Sequence, residues 1–75
     1  MYTQQQLMII WKLLRATNNV GNIMAETGYS REHIRNVFRM QQVAEAHPQI
    51  VELAVSMLKE SGIYNDVKLL TEILN

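Results

Sequence analysis

Gly28 and Ser30 constrain this chain more than any other pair of residues. They sit one residue apart in the turn "TGYS", between two short stretches whose apolar side chains recur at helical spacing. Glycine is the residue that most readily closes a helix in the left-handed conformation, and serine is among the best N-caps of the helix that follows. Upstream, Ile23 and Met24 point inward from a helix expected over about 20–27. Downstream, Ile34, Val37 and Phe38 form a narrow stripe on a helix expected over about 31–40. The turn therefore predicts two short helices held close together.

The flanking sequence continues in the same way. Thr3 followed by Gln6 is a capping box, so a first helix is expected from Gln4, with Leu7, Ile10, Trp11 and Leu14 as its core stripe. "ATNN", residues 16–19, breaks it, and Asn19 is read as the N-cap of the second helix. "QQVAEAH", residues 41–47, is read as a connecting loop in which Val43 and Ala44 tuck inward. Pro48 then opens a helix in the favoured first-turn position, with Ile50, Val51, Ala54, Val55 and Leu58 on its buried face and Gly62 at its end. Asn65 is placed to cap a last helix over 65–74, in which Leu69 and Ile73 lie off the face made by Val67, Leu70 and Leu74. Period-2 alternation bounded by hairpin turns is absent throughout. The expectation is an all-α, compact five-helix bundle in which residues 1–75 form a single domain.

Composition narrows the function. With 75 residues, 48% apolar and 19% charged, the chain is globular but small; a domain of this length buries only roughly 60% of the surface it exposes when unfolded. It contains no cysteine, which removes disulfides and thiolate metal sites. The longest apolar block, "LMIIWKLL", is too short to span a bilayer and no basic leader precedes it, so a soluble cytoplasmic chain without membrane contact is expected. Formal net charge is zero, yet residues 1–40 hold five basic against two acidic side chains and residues 41–75 hold two against five. A basic front and an acidic back suggest a polyanion on one side only.

The second and third helices carry that charge pattern into a motif. "VGNIMAETGYSREHIRNVFR", residues 20–39, has the length of a helix-turn-helix unit. It resembles the helix-turn-helix of lambda-repressor-like and LacI-like DNA-binding domains. Ile23 and Met24 stand where such units pack the first helix, although the second position usually holds a small residue. Gly28 stands at the turn glycine, and Ile34 and Val37 at the two apolar seats of the second helix. The leading helix, residues 4–16, is similar to the lambda-repressor arrangement, and "HPQIVELAVSMLKESGIY" to the helix that follows the unit in LacI-like proteins. The resemblance implies a transcriptional regulator of phage or mobile-element type.

The residues support the same expectation independently. Arg31, Arg35 and Arg39 are like-charged neighbours at i,i+4. Such pairs destabilise an isolated helix by a few tenths of a kcal/mol each, a cost that an anionic groove reverses. Arg31, Glu32, Arg35 and Asn36 are the candidates for base readout in a major groove, since arginine pairs with guanine, asparagine with adenine and glutamate with the cytosine amino group. Asn18, Asn19, Ser30, Arg39, Gln41 and Gln42 are the candidates for phosphate contacts. A homodimer through the 65–74 helix is expected, because one module of this size covers little DNA.

Plainer assignments compete with these. The arginines also suit a solvated face, with Glu32 as an internal partner of Arg35 or Arg39. His33 reads as a surface histidine beside the core, His47 as a residue leading into the next helix, Trp11 as core, and the five methionines as gap-fillers. Tyr29 suits either the core edge or a phosphate. The histidines lack metal-ligand spacing, and no nucleophile constellation, glycine-rich phosphate loop or carboxylate pair is present, so neither an enzyme nor a bound cofactor, metal or small molecule is expected. The alternative class is a protein-interaction module that uses the same scaffold and the acidic C-terminal half.

Overall fold

A computed structural model of the chain describes residues 2–60. Five helices follow in order: α1 (Gln4–Ala16), α2 (Val20–Thr27), α3 (Arg31–Arg39), α4 (Gln41–Ala46) and α5 (Pro48–Glu60). No strand occurs among the described residues. The protein is all-α, as expected. The anticipated 65–74 helix, the dimer contact assigned to it and the closing Gly62 lie outside the described residues.

Local sequence explains most of the helix ends. At the start of α1, the Gln6 N–H donates to Thr3 Oγ1 (3.2 Å) and the Thr3 N–H donates to Gln6 Oε1 (2.8 Å), a reciprocal capping box. At its end Asn18 takes a left-handed conformation, φ 60°. The Asn18 N–H then reaches back to the Arg15 carbonyl (3.3 Å) and the Asn19 N–H to the Leu14 carbonyl (2.9 Å). This paired return is a Schellman motif with asparagine in the left-handed position. Gly28 ends α2 at φ 75°, its N–H donating to the Met24 carbonyl (2.9 Å). Ser30 then caps α3 through Oγ, which accepts the His33 N–H at 3.2 Å.

The segment read as a loop is instead helix α4. Met40 is extended (φ −125°, ψ 113°), which stops α3 at Arg39. Its carbonyl then accepts the N–H groups of Val43 (3.0 Å) and Ala44 (3.1 Å) to start a new helix. No neighbouring side chain caps α4. Gln4, at the start of α1, does so from a distance: its Oε1 accepts the Gln41 N–H at 2.8 Å, while its Nε2 donates to the carbonyls of Phe38 (3.3 Å) and Arg39 (2.5 Å). A cap supplied from so far along the chain leaves no local signature, which is why "QQVAEAH" reads as irregular.

The core runs between α1, α3 and α5, with α2 and α4 closing its sides. Leu7, Ile10 and Leu14 from α1 meet Ile34, Val37 and Phe38 from α3 and Ile50, Ala54 and Leu58 from α5, and all nine are fully buried. Burying each large aliphatic or aromatic side chain contributes about 1.5–3 kcal/mol. Met24 is half-buried, and Ala44 is buried as expected. No helix among the described residues is long and apolar enough to cross a membrane.

Candidate functional site

The contact between α1 and α3 builds the site. The two helices run antiparallel: Gln4 at the start of α1 bonds to the end of α3, and Arg15 near the end of α1 shares a recess with Arg31 at the start of α3. On the solvent side of this contact lies an open cleft of about 430 Å³. Lys12 and Arg15 line one wall, and Arg31, Arg35 and Arg39 the other. Trp11, Phe38 and Met8 form its floor. The Trp11 and Phe38 rings stack with centroids 6.0 Å apart and planes inclined by 24°. All five cationic residues are exposed.

Every lysine and arginine of residues 1–40 thus gathers on one cleft, and among the described residues no carboxylate lines it. None of the five forms an ion pair among the described residues. The internal contacts considered for Glu32 with Arg35 or Arg39 are not made. Four of the described acids lie elsewhere, with Glu45 and Glu52 beside a groove between α4 and α5, and Glu26 and Glu60 beside a recess between α2 and α5. A concave surface of one sign, backed by an apolar floor, focuses the field toward an incoming anion.

The other sequence candidates divide. Glu32 is exposed and Asn36 half-buried, both beyond the cleft on α3. Ser30 and Gln42 are exposed. Asn18 is exposed and, with Gly21, Arg15 and Arg31, lines a polar recess of about 290 Å³ that continues from the cleft.

Two candidates make hydrogen bonds inside the fold. Asn19 sits at the N-cap position of α2, but it is helical (φ −89°, ψ −9°) and makes no side-chain cap. The Schellman turn folds it under, to 7% exposure. Its Nδ2 donates to Thr17 Oγ1 (2.7 Å) and its Oδ1 accepts from Asn22 Nδ2 (3.1 Å), so its side chain is engaged within the fold. Gln41 is likewise engaged within the fold. Its Nε2 donates to the Tyr2 carbonyl (3.1 Å), and its backbone N–H is held by Gln4.

Two further features escape the sequence. Lys12 and Arg15 belong to the cationic cleft; the charge asymmetry hinted at them, but placing them opposite α3 requires the antiparallel packing. Away from the cleft, Tyr29, His33 and His47 form a three-ring cluster. Tyr29 lies against His33 (centroids 4.4 Å apart), His47 meets His33 edge-on (5.1 Å), and Tyr29 and His47 are 5.9 Å apart. His33 Nε2 is buried and finds no hydrogen-bond partner among the described residues. Tyr29 is partly exposed and packs on the two histidines, so the three rings form one unit. Among the described residues no three His, Asp or Glu side chains converge as a metal site.

No protein-family model, curated protein or solved structure matches this chain.

Proposed function

We propose that this protein binds double-stranded DNA sequence-specifically, as a lambda-repressor-like helix-turn-helix regulator of transcription. The observation that carries the proposal is the convergence of five exposed cations, none ion-paired among the described residues, on the flank of α3. A helix of nine residues is about 13 Å long, which suits a major groove about 12 Å wide. With α3 in that groove, Arg31 and Arg35 pair with guanine edges, Asn36 with adenine and Glu32 with the cytosine amino group, each good pair discriminating by about 1–3 kcal/mol. Arg39, Ser30, Gln42 and Asn18 meet phosphates on either side. A single module covers only about 600–1,000 Å² on DNA, so two copies reading paired half-sites are proposed, with the 65–74 segment as their contact. Sedimentation that shows a monomer at micromolar concentration even with DNA present would remove the dimer.

Selection of bound duplexes from a random pool tests the function. A palindromic consensus is the expected result, with Arg35→Ala weakening binding to it. Recovery of no enriched sequence, or an Arg35→Ala variant that binds as well as the parent, overturns the proposal. A second reading, a protein-interaction module, is favoured by the apolar groove that Leu7, Ala44, Pro48 and Val51 line between two acidic side chains, Glu45 and Glu52. It predicts no retention on duplex DNA at low salt.

A further inference from the structure

Resting on the DNA-binding reading above, we propose that Lys12 and Arg15 of α1 are phosphate-gripping residues, and that the α1–α3 cleft seats the sugar–phosphate backbone of the strand bordering the groove that α3 enters. Helix-turn-helix logic assigns DNA contact to α2 and α3; the structure adds α1. Three observations support it.

The first is placement. Lys12 and Arg15 stand three residues apart on one face of α1, and both line the cleft opposite Arg31, Arg35 and Arg39. The result is a two-walled cationic channel rather than a single row. Along α3, Arg31 to Arg39 spans about 12 Å at 1.5 Å per residue, so the channel follows a length of backbone rather than one anion.

The second is the absence of internal neutralisation. No carboxylate lines the cleft, and none of the five cations is ion-paired among the described residues. Holding five like charges around one concavity raises the energy of the free protein, and a phosphodiester chain supplies the missing counter-charge. The third is the floor. Trp11, Phe38 and Met8 give the channel an apolar base. Apolar surface lowers the dielectric on that side, which strengthens attraction to charge above it. Flat apolar walls also support the methylene stems of lysine and arginine while their heads reach outward.

Arg15 and Arg31 extend the channel toward Asn18 and Gly21 at the start of α2. A strand lying in the cleft therefore continues into the polar recess where α2 begins. Backbone contact from α1 and from the α2 end then becomes one path instead of two separate patches.

The test compares the parent protein with a Lys12→Gln/Arg15→Gln double variant. Both side chains are exposed and outside the core, so the variant keeps the fold, which a thermal melt verifies. Binding to a labelled duplex is followed by anisotropy across salt concentrations. Emission of Trp11, the chain's single tryptophan, reports directly from the cleft floor. Each phosphate contact contributes about −0.9 to the slope of log affinity against log salt. With Arg31 and Arg35 on base edges, Lys12, Arg15 and Arg39 make three charged phosphate contacts, so the parent loses roughly 40-fold between 50 and 200 mM salt and the double variant roughly 3-fold. The variant is expected to weaken all duplexes alike and to leave base preference unchanged, while Trp11 emission shifts on binding in the parent. An unchanged salt slope, or loss of sequence preference without change of slope, overturns the role of α1 while leaving DNA binding through α3 intact. Failure of the parent itself to bind any duplex at low salt overturns the DNA-binding reading instead.

Discussion

The side-chain carbonyl of Gln4 accepts the backbone N–H of Gln41 at 2.8 Å, joining the first turn of α1 to the first turn of α4. The same amide donates to the carbonyls of Phe38 and Arg39 at the end of α3. One side chain thus satisfies groups at two helix ends, and it fixes where Arg39 leaves the helix beside the cleft. Gln4→Ala is expected to destabilise the protein by about 1–3 kcal/mol, because it strands polar backbone groups. Gln4→Glu keeps the acceptor but turns a carboxylate toward two carbonyls, so it should cost no less. Chemical denaturation checks both. Losses within about 0.5 kcal/mol, the range of an ordinary surface change, would mean that water replaces Gln4 freely.

The two described glycines should respond in opposite directions. Gly28 holds φ +75°, and an added Cβ would meet nothing within 4 Å, so Gly28→Ala suffers only the conformational penalty of about 1–2 kcal/mol. Gly21 lies within α2 with equal open space and no left-handed requirement. Gly21→Ala should therefore stabilise by up to about 1 kcal/mol. Equal signs in the two melting curves would contradict the turn geometry.

On the DNA-binding proposal, Ser30 is where folding and binding can be separated. Ser30→Ala removes the α3 cap and should cost about 1 kcal/mol. Ser30→Asp retains a capping oxygen and adds favourable charge at a helix N-terminus, so stability should hold. The new carboxylate would repel a phosphate at the same place, so duplex affinity should fall although the fold persists. A Ser30→Asp variant that binds duplex as tightly as the parent would take Ser30 out of the contact surface.

His33 carries a buried nitrogen, Nε2, without a partner among the described residues. An unsatisfied buried polar group costs about 1–3 kcal/mol. His33→Phe preserves a ring between Tyr29 and His47 and removes that group. A gain of about 1 kcal/mol, seen as a rise of about 4–8 °C in Tm, is expected; a lower Tm would show that the imidazole has a partner of its own.

Much of this architecture was legible in the residues. The capping box at Thr3 and Gln6, the left-handed Gly28 and the Ser30 cap each rest on interactions within four residues, and the buried face of Pro48–Glu60 shows as helical spacing of its apolar residues. Helix α4 was not legible, because its cap comes from Gln4. Asn19 was misjudged because the Schellman turn depends on Asn18 going left-handed, a choice asparagine can make but need not. The site followed the same division. The arginine row on α3 is visible as an i,i+4 pattern, whereas Lys12 and Arg15 join it only when α1 packs antiparallel to α3. The meeting of His33 with His47 likewise depends on how α4 turns the chain back.

The crowding of Lys12, Arg15, Arg31, Arg35 and Arg39 around one hollow has a consequence for handling the purified protein. Mobile ions weaken repulsion among exposed charges over a screening distance of about 10 Å at 0.1 M. Dissolved electrolyte therefore acts on this molecule in two opposed senses: it steadies the solitary chain against heat while it loosens any hold on a polyanion. If the proposed DNA binding holds, conditions that make the protein easiest to store are those in which it grips least.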